Sequence, residues 1–284
     1  HPQPVNFRKA IEFNLEPSLY SERVLNAFVE AAAEMKQKKF PVHIKFNTGL
    51  NRLGFQNKAS KRIAFELSKE NTIKVKSIFS HLAASEDSEE RAFTLRQIDQ
   101  FSEICEAFES GYGKLPVRHL CNTSGVVNYP GAAFDMVRCG IGLYGYDNRI
   151  GCSSDLLPVL SLKSVISQIH ELKKGDSVGY NRAYVADAKK TIATLPLGHA
   201  DGIGRQYGNG VGYVSIQNQK APIVGNVCMD MIMIDVSDID CQEGDHVVVF
   251  DAVTTAEHFA ESGKTISYEL LTALSRRIKR RLVE

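Results

Sequence analysis

The chain reads as α/β followed by all-β: a parallel sheet with about half the units that a closed eight-stranded barrel needs, then a β-rich domain. Two observations predict the first part. Up to about residue 150, short apolar runs alternate with stretches of helical spacing, and residues suited to chemistry follow the ends of the strand-like runs. A third predicts the second part: beyond residue 158 come the β-branched runs 159–170, 191–197, 211–217, 221–227, 231–236 and 246–250. Gly175-Asp176, Gly244-Asp245 and the glycine-rich 202–212 separate them, as turns separate the strands of an all-β domain.

In order, residues 5–15 read as the tail of one βα unit, with Phe13-Asn14-Leu15 entering a short strand before Pro17. Ser21 can cap the next helix, whose Val24, Leu25, Phe28, Val29, Ala32 and Met35 recur at helical spacing until Pro41 stops it. Strand 42–46, helix 58–70 and strand 75–80 follow. Helix 90–109 places Leu95, Ile98, Phe101, Ile104 and Phe108 on one face and ends before Gly111. Strand 117–121 comes next, and then FDMVRCGIGLYGY at 134–146, where Phe134, Met136 and Val137 suit a buried strand. With half its staves, such a barrel leaves strand edges exposed or covered by another chain. Gly, Ser, Asp and Pro in 147–158 mark a boundary, giving domains 1–150 and 151–284; a final helix over 267–281 has Leu270, Leu271, Leu274 and Ile278 for its buried face.

Composition narrows the function. With 34 basic and 33 acidic residues there is no net field to recruit nucleic acid or an anionic membrane. The basic run Arg276, Arg277, Lys279, Arg280, Arg281 reads as a solvated helix face. Six cysteines (Cys105, Cys121, Cys139, Cys152, Cys228 and Cys241) form no CxxC pair and no metal-ligand spacing, which points to a reduced cytoplasm and no metal. No apolar stretch approaches the roughly 20 residues of a membrane helix.

Arg138 stands at a strand end before Gly140 and Ile141, whose backbone N–H groups can approach a phosphate closely. By itself this is equally an arginine capping a strand beside a tight turn. The same chain, however, carries HIKFNTGLNRLGF at 43–55, SHLAASED at 80–87, HLCNTSG at 119–125, SVGYNRAY at 177–184, LGHADGIGR at 197–205, VGNVCMDM at 224–231 and TISYELL at 265–271. In this order the segments resemble those of the alanine racemases, pyridoxal-phosphate enzymes built as a TIM (β/α)8 barrel followed by a β-rich domain. The resemblance runs from about residue 5 to the C-terminus and implies the C-terminal half of such a barrel plus the β-domain.

That resemblance implies a two-base interconversion of L- and D-alanine through a pyridoxal phosphate imine, supplying D-alanine for peptidoglycan, in a cytoplasmic homodimer with shared active sites. Tyr180 matches the tyrosine base given by one subunit's β-domain to the other's barrel; on its residues alone it is an ordinary rim tyrosine. A phenol near pKa 10 needs a neighbouring cation or donor to act as a base, and His81 with Arg138 match the hydrogen-bonded line behind it. Arg138 matches the arginine at the ring nitrogen, and a guanidinium that keeps its proton makes a weaker electron sink than a carboxylic acid would. Thr123, Gly140, Ile141 and Tyr268 match the phosphate holders, although Tyr268 also suits helix-start packing. Arg52 matches the arginine near the substrate carboxylate, whose fork suits that anion. Lys45 matches a lysine that many members carbamylate, with Asn47 where aspartate is usual. Met229 and Asp230 match partner residues lining the substrate pocket, and a small pocket favours alanine by exclusion. Glu86, His199 and Arg205 match the entrance, with His199 where tyrosine is common and Asn226 where arginine is frequent.

Nothing in the chain resembles the KANAYGHG-like segment bearing the lysine to which the family attaches its cofactor. Lys9, Lys36, Lys38 and Lys39 lack the required tyrosine and glycines. The expectation is therefore a C-terminal portion without the N-terminal lysine segment, inactive alone and binding the cofactor weakly or not at all. In some bacteria the racemase is the C-terminal half of a fusion with a muramyl-peptide ligase, which would place it this far from its own N-terminus. Rival readings are a pyridoxal-phosphate-binding homeostasis module, which lacks the β-domain with its SVGY and CMD segments; a basic amino-acid decarboxylase, which GNVCMD and TISYE fit less well; and a non-catalytic association fragment.

Overall fold

The computed structural model describes residues 2–147 and 156–283. They form two compact units, one reaching Gly142 and the other starting at Leu143. Most of the expected boundary 147–158, with Cys152, lies outside the described residues.

In the first unit α1 (Phe7–Glu12), β1 (Ser18–Leu19), α2 (Glu22–Glu34), β2 (Phe40–Asn47), β3 (Phe55–Gln56), α3 (Ser60–Ser68), β4 (Ile73–Phe79), α4 (Arg91–Tyr112), β5 (Val117–His119) and α5 (Thr123–Asn128) follow one another. The strands pair in parallel in the order β1-β2-β4-β5, with β3 added to β2. Ser21 caps α2, its Oγ accepting from Val24 N at 3.4 Å. Alternation along β2 decides where chemistry can sit. Phe40, Val42, Ile44 and Phe46 are buried and meet the helices, Phe40 against Phe28 at 5.7 Å and Phe46 against Phe108 at 6.1 Å between ring centroids. Each such side chain contributes about 1.5–3 kcal/mol by leaving water. His43, Lys45 and Asn47 therefore point to the opposite face, because successive strand residues alternate.

Several expectations are corrected. Phe13 and Leu15 do not enter a strand: Asn14 turns the chain at φ 52°, both neighbours are exposed, and β1 begins after Pro17. Pro41 does not stop α2 but lies inside β2, where the register shifts between Val42 and His43. Helix α4 passes through Gly111 and ends at Gly113 with φ 79°. A Cβ on Gly111 would lie 2.7 Å from Lys61 O, so this glycine serves the close approach of α4 to α3. Leu95 is 40% exposed, and Thr94 and Gln97 occupy the buried stripe instead. The expected strand at 134–137 is reduced to one bridge, Met136 to His119: Phe134 takes φ 53°, and Met136 and Val137 are exposed.

The second unit carries β6 (Leu162–Val165), β7 (Gln168–Leu172), β8 (Ser177–Val178), β9 (Tyr184–Val185), β10 (Lys190–Leu195), β11 (Tyr213–Ile216), β12 (Gln219–Val224), β13 (Ile232–Asp235), β14 (His246–Phe250), α6 (Ala256–Ser262) and α7 (Ser267–Ala273). Seven of the strands pair in the order β6-β14-β11-β12-β13-β10-β7. The run expected at 159–170 is thus two strands at opposite ends of that order. Only Ile166 and Ser167 join them, Ile166 N donating to Asp245 O at 3.0 Å and Ser167 N to Thr194 O at 2.8 Å. So short a link draws the two ends of the sheet towards each other, which requires it to curl.

The last helix stops at Ala273, and Leu274 takes an extended ψ of 117°. Arg277 is not on a solvated helix face: its Nε and NH2 grip both oxygens of Asp201 at 2.6 Å each, which holds the tail off the helical path. Among the described residues no helix is long and apolar enough to cross a membrane.

Candidate functional site

In the first unit, residues suited to chemistry collect where parallel strands end. Arg138 N donates to Cys121 O at 3.0 Å, laying the segment beside the end of β5. The guanidinium turns inward: NH2 donates to Ser80 O at 2.8 Å, Leu120 O at 3.0 Å and His81 Nδ1 at 3.2 Å, while NH1 donates to His119 Nδ1. Its carbon lies 5.3 Å from the Phe79 ring centroid, and the His119 ring stacks on Phe79 at 4.7 Å. Burial, and next the charge of Arg138, pull His81 and His119 each down to about 4. Both imidazoles are neutral at pH 7, as acceptors of a guanidinium must be. Burial also lowers Arg138 from its ordinary value.

Beside this lies a turn fit for an anion. Gly140 N and Gly142 N both donate to Thr123 Oγ1 at 3.2 Å. A Cβ on Gly142 would come within 2.8 Å of Thr123 Cγ2, so a larger residue would fill the cradle. Thr123 opens α5, which Asn122 caps by accepting from Gly125 N at 2.9 Å. Ile141, between these two glycines, is buried.

Lys45 and Arg52 share a cleft of about 550 Å³ with Tyr20 and Phe79. Burial lowers Lys45, and Arg52 and Arg138 add to the effect. Asn47 is fully engaged in a turn, its Oδ1 accepting from Gly49 N at 3.1 Å and Asn51 N at 3.0 Å. Its amide thus shapes the loop that presents Arg52. Glu86 stands beside Ser85, whose Oγ contacts it at 3.5 Å and donates to Asn122 Oδ1 at 2.8 Å.

In the second unit a cleft of about 740 Å³ is lined by His170, Leu172, Tyr180, Thr194, Cys228 and Asp230, among others. Tyr180 is 73% exposed and sits where Gly179, Asn181 and Arg182 take φ of 72°, 60° and 49°. Asn226 Nδ2 ties this turn down through Tyr180 O at 3.1 Å. The HADG turn is stitched to the CMD turn, His199 N donating to Cys228 O at 3.0 Å and Ala200 N to Met229 O at 2.8 Å. Met229, Asp230, His199 and Arg205 are exposed. Tyr268 lies in α7, partly exposed, in the same unit.

Several residues escaped the sequence reading. His119 stands inside the quoted HLCNTSG, and His43 opens HIKFNTG on the same strand face as Lys45. Gln97, 1% exposed, anchors the loop of His81, donating to His81 O at 3.2 Å and accepting from Ala83 N at 2.9 Å. A glutamine on an apolar helix stripe was the available signal. Asp201, 2% exposed, accepts from Gly198 N at 2.9 Å as well as from Arg277.

A clasped guanidinium and an anion cradle at the strand ends of a parallel α/β sheet, followed by a curled β unit, define the class: a two-domain protein of the α/β-barrel plus β-domain kind. Family models described as alanine racemase N-terminal domain and alanine racemase C-terminal domain match residues 1–148 and 159–282. The alanine racemase of Clostridium tetani is 34% identical over 280 residues, covering 95% of this chain and 72% of that protein. Among solved structures, Clostridium difficile 630 alanine racemase superposes with a TM-score of 0.87 at 30% identity, covering 98% of this chain and 73% of that one. Alanine racemase from Bartonella henselae, described with covalently bound pyridoxal phosphate, gives 0.86 at 28% identity, covering 100% and 77%. The chain belongs to the alanine racemase family. Family models of both domains, N-terminal as well as C-terminal, are thus matched, and the chain spans about three quarters of the length of these relatives.

Proposed function

We propose that this chain serves the racemisation of alanine with pyridoxal phosphate, in a cytoplasmic homodimer that supplies D-alanine for peptidoglycan. The observation that carries the reading is the guanidinium of Arg138 held by two neutral imidazoles beside the Thr123 cradle. These residues suit the cofactor: a hydroxyl and glycine N–H groups for a phosphate, and a fixed cation for a ring nitrogen. Bound there, pyridoxal phosphate would supply the electron-accepting ring that acidifies the Cα proton of alanine.

The chain's own residues would do the rest. Arg138 would donate to the ring nitrogen without giving up its proton. Thr123 and the N–H groups of Gly140 and Ile141 would hold the phosphate. Arg52 would receive the substrate carboxylate, steadied by Lys45, whose lowered amine suits carbamylation. Tyr180 of a second copy would exchange the proton on one face, with His81 and Arg138 behind it. Met229 and Asp230 of that copy would bound a small pocket, and Glu86, His199 and Arg205 would flank the entrance. The divisions 1–150 and 151–284 then separate cofactor binding from what each copy lends its neighbour.

Among the described residues, Lys45 is the lysine whose amine feels the charge of Arg138. Lys36, Lys38 and Lys39 precede β2, whose eight residues place them about 25 Å from the strand ends bearing chemistry, and Lys9 is on α1. These residues by themselves would hold the cofactor weakly. Adding pyridoxal phosphate to the purified chain and following both absorbance and conversion of L- to D-alanine is the test. Weak binding that Arg138→Ala abolishes is expected, with no band of lysine-attached cofactor. A strong band of that kind would overturn the lysine argument, and binding indifferent to Arg138 would overturn the site.

A further inference from the structure

On the sheet face turned away from the helices, a line of side chains runs from Arg138 across three strands to Glu16. The order is Arg138 NH1, His119 Nδ1 and then His119 Nε2 to Ser77 Oγ at 2.9 Å. Ser77 Oγ meets His43 Nδ1 at 2.6 Å, and His43 Nε2 meets Glu16 Oε2 at 3.1 Å. His43 and Ser77 are register partners on β2 and β4, and His119 ends β5. Ser77 is 2% exposed and His119 5%, whereas Glu16 reaches solvent.

The chemistry of the two ends sets one direction of donation along the whole line. A guanidinium has no acceptor, so Arg138 donates and His119 Nδ1 must carry a lone pair. Neutral His119 then bears its proton on Nε2 and donates it to Ser77. Ser77, having accepted there, still has its own O–H to give to His43 Nδ1, the sense that leaves His43 a donor to Glu16. His43 is left with its proton on Nε2, facing the Glu16 carboxylate. Every link points from cation to anion, and links aligned in this way polarise and strengthen one another.

We infer that Glu16, His43 and Ser77 are positioning residues for Arg138, fixing through the His119 tautomer which edge of the guanidinium is taken by protein and which is left for a ligand. NH2 is occupied by Ser80 O, Leu120 O and His81, and one NH1 hydrogen by His119. The second NH1 hydrogen and Nε–H remain. The inference rests on the reading that Arg138 faces the cofactor ring.

The test is nitrogen-15 NMR of the histidine-labelled full chain, with Arg138 side-chain proton exchange read in parallel. His119 and His43 are expected as Nε2–H tautomers. Ser77→Ala should turn each into a tautomer mixture and speed exchange at Arg138 several-fold. Ser77→Thr, which returns the hydroxyl, should restore both readouts. Glu16→Gln, which keeps an acceptor but loses the charge, should preserve the tautomers and loosen Arg138 only slightly. An Nδ1–H tautomer at His119, or spectra and exchange unmoved by Ser77→Ala, would overturn the inference; a merely structural serine would leave the tautomers alone. Uptake of pyridoxal phosphate by the parent chain is measured separately: if there is none, the functional reading fails while the spectra still decide the relay.

Discussion

Arg138 and Tyr180 are the two groups assigned to the same chemistry, and they are held in opposite ways. The arginine is fixed by four acceptors from two segments, Ser80-His81 and His119-Leu120, and lies over the Phe79 ring. The tyrosine projects from a strained turn, 73% exposed, and only its backbone carbonyl is tied down. A group that sets the electronics of a bound ring gains from preorganisation, because a fixed dipole costs no reorientation during reaction. A group that must meet a site on another copy gains from projecting outward. The first kind of residue is part of the fold's stability; the second is nearly independent of it.

Variants should separate the two by how much folding each disturbs. Arg138→Ala strips the donor from two imidazoles and two carbonyls, and urea unfolding should show a loss of about 3 kcal/mol in the first unit. Only a loss well under that would break the contrast. Next, Arg277→Ala leaves the Asp201 carboxylate buried without its partner. A smaller loss of stability is expected, since Arg277 is itself half-exposed, and faster amide exchange should be confined to 198–202 and 228–231. A smaller effect comes from pH. His81 and His119 sit near 4 when folded and about 6.5 when unfolded. The unfolded chain therefore binds more protons between these values, and stability should fall as pH drops through that window and level off below it. After allowance for partial exposure this amounts to about 1 kcal/mol per imidazole, readable from melting temperatures across pH 7 to 4. Smallest is Tyr180→Phe, expected within about 0.5 kcal/mol of the parent. In an assembly that turns over alanine, the same change should slow proton exchange at Cα at least about 100-fold.

Much of this was legible beforehand because it is local. Helical spacing marked α2, and the strand-like run 42–46 marked most of β2. The ordered segments from HIKFNTG to TISYE carried the family. Failures came where a local rule met a distant partner. Gly111 looked like a helix stop, yet its bare backbone is what lets α3 pass close by. The run 159–170 looked like one strand, but its halves pair with opposite ends of a sheet that curls. Met136 and Val137 looked like a buried strand but find only one bridge.

By itself, then, the sequence determined the α/β and β layers and the family, and singled out Arg138 with His81, since strand and helix periods and short motifs need only near neighbours. Tertiary structure alone decided the rest. The bond of Arg277 to Asp201 spans 76 positions, and that of His43 to Ser77 spans 34. Nothing in the letters near either residue specifies its partner; the register of strands and the course of the tail bring them together, and the protonation of His119 follows from that placement.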